Sequence, residues 1–146
     1  LLLNSETQLN YPWESCPPQA MIGEWTPNAP FKSPQKIINI LIGIIAKGGC
    51  LLLGVGLTPS KTSNKNVYMK GKAIYATRTT PIYNNENIWF TADKNGKTLY
   101  AIYALSEGEE LPENNKWAGN IPNGKMIPLQ GNKNIKYTKD KGVLTP

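Results

Sequence analysis

The 146-residue sequence contains no histidine. Ser-His-Asp and Cys-His catalysis both need an imidazole base, so both are excluded, as is an imidazole metal site. Cysteine is almost as scarce. Cys16 and Cys50 are the whole complement, too few for a Cys₄ zinc site or an iron–sulfur cluster within the chain. One pair in this length is not a disulfide framework, and two separate buried thiols are expected. No metal and no organic cofactor is signalled. Long apolar runs are also missing. The longest, residues 37–45, is interrupted by Asn39 and Gly43 and bounded by Lys36 and Lys47, whereas a bilayer span takes about 20 residues. Leu1-Leu2-Leu3 is too short for the apolar core of a signal peptide. Arginine is represented by Arg78 alone, and the net charge of +6 comes from scattered lysines such as Lys32, Lys61, Lys94 and Lys133. A nucleic-acid footprint gathers its positive charge on one face. Neither nucleic acid nor a membrane is expected as a partner. Finally, the length excludes a complete (β/α)₈ barrel, which needs roughly 250 residues.

Four Trp and seven Tyr argue for a packed chain rather than a disordered one. Residues 1–33 read as loop, with Pro12, Pro17, Pro18, Pro27 and Pro30. A helix start follows: Ser33 suits the N-cap and Pro34 the first helical position. Ile37, Ile38, Leu41, Ile44 and Ile45 recur at helical spacing, and Ile40 and Ile42 widen the stripe, so a helix covered on more than one side is expected to run to about Lys47. Gly48-Gly49 should end it. The run Cys50 to Gly56 has no alternation and reads as a strand buried on both faces. Residues 58–72 form a short polar link where an α/β fold would next supply a helix. From Ala73 the character is β. Ala73-Ile74-Tyr75, Ile88 to Ala92, Thr98 to Ala104, Lys125 to Gln130 and Asn134 to Thr138 read as short strands. Asn95-Gly96 is expected to turn a hairpin, and Asp140-Lys141-Gly142 a second turn. The division expected is an incomplete α/β domain over 1–72 and a small antiparallel β domain over 73–146.

With histidine absent, acid–base work falls to carboxylates, Lys or Tyr. Of ten carboxylates, Glu107, Glu109, Glu110 and Glu113 lie in a polar loop, and Glu86, Asp93 and Asp140 lie in turns. Glu14, in Tyr11-Pro12-Trp13-Glu14-Ser15-Cys16, and Glu24, in Gly23-Glu24-Trp25, stand beside aromatics. A carboxyl in an apolar pocket against Trp has its ionised form desolvated and can serve as a general acid near neutral pH. An indole also suits the C–H face of a pyranose. The plainer alternative for both is an exposed glutamate beside a packing tryptophan.

Pro12-Trp13-Glu14-Ser15-Cys16, Gly23-Glu24-Trp25, Phe31-Lys32-Ser33-Pro34-Gln35, the block from Ile44 to Gly56, and Gly71-Lys72-Ala73-Ile74-Tyr75 occur in this order. Together they resemble the C-terminal part of the catalytic barrel of the glycoside hydrolase family 29 α-L-fucosidases, and the second half resembles the β-sandwich that follows it. The resemblance implies a fold: an α/β fragment of a (β/α)₈ barrel over residues 1–72, then a small antiparallel β-sandwich domain over 73–146. It implies a retaining exo-glycosidase acting on terminal α-L-fucose of an oligosaccharide or glycoconjugate, without a cofactor. Glu14 maps onto the family's general acid/base, and Trp25 and Trp13 onto substrate-binding aromatics. The Asp nucleophile and the sugar-binding histidines of the family come from earlier strands and have no counterpart here.

Further differences accompany the resemblance. Cys50 stands where the family commonly has Asn or Ser, and the helix before Ala73-Ile74-Tyr75 is absent. The expectation is a partial chain, inactive alone. Family members are secreted or periplasmic, or lysosomal in animals. The alternative reading is a non-catalytic β-sandwich that binds carbohydrate or supports structure, with Trp89 and Trp117 as its candidate contacts.

Overall fold

The computed structural model describes residues 8–18, 30–54, 71–110, 117–118, 126–129, 138–140 and 143–145. Its single long element among these is helix α1, Pro34–Ala46. The start follows the sequence signal: Ser33 Oγ accepts the Lys36 N–H at 3.2 Å, and Pro34 occupies a position where no N–H is needed. The end is a double glycine closure. The Gly48 N–H donates to Ile45 O and the Gly49 N–H to Ile44 O, both at 2.9 Å, and Gly48 takes φ +86°. This 5→2 and 6→1 pair satisfies carbonyls that the last turn leaves open. Ile37, Ile42, Ile44 and Ala46 are buried. At roughly 100° per residue, Ile37 and Ile44 point one way and Ile42 and Ala46 nearly opposite. The helix is therefore enclosed on two sides, as its widened apolar stripe implies.

On one side lies a short parallel ladder. Strands β1 (Glu14–Ser15) and β2 (Cys50–Leu51) pair Glu14 with Cys50 and Ser15 with Leu51. Three bonds prolong the pairing: Cys50 N–H to Trp13 O, Leu52 N–H to Ser15 O and Gly54 N–H to Pro17 O. The Gly-Gly turn delivers the chain directly into this ladder, so β1, α1 and β2 form one β-α-β unit, the repeat that barrels and open parallel sheets share. The expectation of burial on both faces of the second strand is corrected. Cys50 and Leu52 are exposed while Leu51 and Leu53 are half-buried, because α1 covers one face only.

On the other side lies a four-stranded antiparallel sheet. Strands β5 (Ile88–Asp93) and β6 (Leu99–Tyr103) form its central hairpin, with Ile88 opposite Tyr103 and Ala92 opposite Leu99. Gly96 adopts φ +67° in the turn, and Asp93 Oδ1 accepts the N–H groups of Lys97 and Thr98, as the Asn-Gly signal led one to expect. Because β6 fills one edge of β5, strands β3 (Thr77–Arg78) and β4 (Asn84–Asn85) share the other edge end to end. Ile88 and Phe90 are buried on one face of β5, and Thr91, fully buried on the other, donates its hydroxyl to Ala73 O at 2.7 Å. A further three-stranded antiparallel sheet has the order β7 (Trp117–Ala118), β9 (Val143–Thr145), β8 (Thr138–Asp140).

Two expected strands are replaced. Ala73-Ile74-Tyr75 is not extended: Gly71–Ala73 is a 3₁₀ turn, and a further turn follows it. Gly71 O accepts both the Ile74 and the Tyr75 N–H, and the Tyr75 ring folds over the space a Gly71 side chain would fill. Residues 126–129 are not in a strand, and Ile127 and Leu129 are exposed. The polar link over 58–70 lies outside the described residues. No described helix is long and apolar enough to cross a membrane. Ser33→Ala is expected to lower stability by about 1 kcal/mol through loss of the cap. Gly48→Ala should cost more, because it combines left-handed strain with a methyl 2.8 Å from Thr79 Cγ2. Urea denaturation of the two variants checks the order.

Candidate functional site

Strand alternation divides the β1–β2 ladder into two chemically different faces. Glu14, Cys16, Cys50 and Leu52 are exposed, while Ser15 and Pro17 are buried on the helix side. Glu14 therefore projects from the face that α1 does not cover. Its Oε1 accepts a hydrogen bond from Cys16 Sγ at 3.5 Å. Both cysteines are free and exposed, which corrects the expectation of buried thiols. The exposure follows from the same one-sided cover that leaves Leu52 in solvent. The Cys16 thiol is pushed above its ordinary pKa. Local desolvation of the sulfur contributes most, although the residue as a whole is exposed; the hydrogen bond to Glu14 and its negative charge follow. Among the described residues no three His, Cys, Asp or Glu side chains come together to hold a metal ion.

Trp13 faces the other way. Its indole lies against Gly49, where an added Cβ would sit 2.5 Å from Cζ2, and its Nε1 is buried without a hydrogen-bond partner. Trp13 lines a cleft of about 430 Å³ that also receives Trp89 and the α1 residues Gln35, Asn39 and Gly43. Glu14 does not line this cleft. The structure thus separates the two neighbours that the sequence presents together. Trp25 and Glu24 lie outside the described residues. Trp117 is placed in β7 by its backbone. Trp89 is half-buried in β5, with its ring 6.5 Å from Tyr83 and its indole edge over Gly43.

The residues joining α1 to the four-stranded sheet escaped the sequence reading. Gln35 Nε2 donates to Leu105 O at 2.9 Å and to Asn39 Oδ1 at 3.2 Å, and Asn39 Nδ2 donates to Leu105 O at 2.8 Å. Gln35, Asn39 and Gly43 form an i, i+4, i+8 row. That spacing was the available signal, but a row of amides and a glycine carries no apolar periodicity.

Residues 3–70 match the family model described as alpha-L-fucosidase. The match covers just under half of the chain, and this stretch is similar to the alpha-L-fucosidase family. The matched stretch includes all of the β1-α1-β2 unit, with Glu14 on its open face and both cysteines. No curated protein matches the chain. The matched family is one of glycoside hydrolases.

A reactivity difference follows from the Glu14–Cys16 contact. Glu14→Gln removes the negative charge, so the Cys16 pKa should fall and its thiolate fraction at pH 8 should rise. Iodoacetamide alkylation of Cys16, followed by peptide mapping, is expected to be faster in the variant.

Proposed function

We propose that this chain contributes the acid/base side of a retaining α-L-fucosidase active site, with Glu14 as the residue that protonates the leaving oxygen and then activates water. The carrying observation is that Glu14, within Trp13-Glu14-Ser15-Cys16, lies in the family-matched stretch and projects from the helix-free face of a parallel strand pair. In a closed α/β barrel that face is the interior, while helices cover the outside. The first half is accordingly read as a barrel fragment and the second as a β-sandwich that follows it. The substrate class is a glycan or glycoconjugate ending in α-L-fucose. A secreted, periplasmic or lysosomal location goes with such substrates.

Retention of configuration needs a second carboxylate about 5–5.5 Å from the first, acting as nucleophile. The other described carboxylates, Glu86, Asp93, Glu107, Glu109, Glu110 and Asp140, all lie outside the β1-α1-β2 unit. Asp93 holds the β5–β6 turn. Glu109 accepts the Ser106 N–H at 2.7 Å and the Tyr103 hydroxyl at 3.4 Å. Glu86 sits in a tight turn with φ +53°. The nucleophile is therefore proposed to come from other barrel strands, and the isolated 146-residue chain to be inactive.

The chain alone is expected to release no 4-nitrophenol from 4-nitrophenyl α-L-fucoside above the buffer rate; turnover would remove the claim of incompleteness. In a protein that carries this sequence within an active barrel, Glu14→Ala should slow hydrolysis about 10²–10⁴-fold. Azide should partly restore the rate for substrates with good leaving groups, since a small anion can enter the space left by the carboxylate. Full activity in that variant would overturn the assignment of Glu14.

A further inference from the structure

We propose that the cleft between α1 and the four-stranded sheet is a binding site for a neutral pyranose, separate from the Glu14 face. Its volume of about 430 Å³ falls within the range of small-ligand pockets and leaves room for one sugar ring with a substituent. Two indoles form apolar walls, Trp13 from the entry to β1 and Trp89 from β5. Each rests against a glycine. Trp13 covers Gly49, and Trp89 approaches the position of a Gly43 Cβ to 3.4 Å. The absent side chains let the rings lie back against the backbone, so the space between them stays open.

Ile40 and Ile44 add apolar surface, and several polar groups of the lining are held in place. The amides of Gln35 and Asn39 are fixed by their bonds to Leu105 O. Ser33 Oγ is fixed by the Lys36 N–H, which leaves its own O–H to donate, and Ser106 also lines the cleft. Lys36, Lys47 and Glu107 also line the cleft, so charges of both signs border it. A pyranose offers apolar C–H faces to indoles and hydroxyls to amides and serines. A planar aromatic ligand would use the walls but leave the polar groups without partners. Fixed partners and rigid aromatic walls lower the ordering cost of a weak ligand. The inference does not rest on the fucosidase reading, since Glu14 takes no part in the cleft.

The test is a titration of the 146-residue chain with methyl β-D-galactopyranoside, methyl α-L-fucopyranoside and lactose, followed by tryptophan fluorescence and indole N–H NMR shifts. Saturable binding near ~1 mM for at least one saccharide is expected, the range of a small ligand held by a few contacts. Gly43→Leu places a side chain in the cleft at a helical position where leucine is favoured over glycine. It should weaken binding at least about tenfold. Glu14→Gln should leave binding unchanged. Binding that survives Gly43→Leu, binding lost in Glu14→Gln, or response to indole with none to any saccharide would each overturn the proposal. Should Gly43→Leu unfold, Ser106→Ala at the rim supplies the same comparison, with weaker binding expected and unchanged affinity counting against the site.

Discussion

Helix α1 must be covered on two opposed sides, and the rest of the described structure is arranged to meet that requirement. Ile37 and Ile44 on one side and Ile42 and Ala46 on the other are all buried, and a short helix of this length is marginal without such packing. The Schellman closure at Gly48-Gly49 sets the direction in which the chain leaves the helix. It sends residues 50–54 into register with residues 13–18, and so defines the parallel ladder. The second side is closed by β5, brought there by the hairpin that Gly96 permits. The amide bonds to Leu105 then fix the helix over the end of β6.

One consequence is functional. A helix on one face of the ladder leaves the other face open, and the two-residue alternation of a strand assigns every side chain to one or the other. Glu14 and Cys16 fall on the open face. Trp13, one position earlier, falls on the helix side and contributes to the cleft with Trp89. Glu14 and the indole beside it in sequence therefore serve different surfaces. Exposure of Leu52 and Cys50 on the open face is what one strand pair of a parallel sheet shows when only its helical side is covered.

Much of this was legible in the sequence wherever local chemistry decides the outcome. Ser33-Pro34 and Gly48-Gly49 bracketed α1 because capping depends on residues within one turn of the helix end. Asn95-Gly96 marked the hairpin because the turn needs a left-handed position. Strands of two residues, such as β1, β3 and β4, carried no readable period, since pairing with a distant partner creates them. Gly71–Ala73 misled for a related reason. The apolar run Ala73-Ile74-Tyr75 suggests a strand, yet Gly71 O collects two N–H groups and draws the segment into a turn. Glu14 stands out in the sequence through its motif, while the Gln35, Asn39 and Gly43 row does not, because it is neither apolar nor charged.

By itself the sequence determined the exclusion of imidazole chemistry, the ends of the helix, the central hairpin and the family likeness of residues 3–70, because each of these rests on residue identity or short-range spacing. Only the tertiary structure decided which face of the ladder Glu14 occupies, that both thiols are exposed, and that Trp13 and Trp89 line one cleft beside α1. Those outcomes depend on which element covers which face. That choice arises when the helix, buried on two sides, draws a parallel ladder and an antiparallel sheet from distant parts of the chain onto its surface.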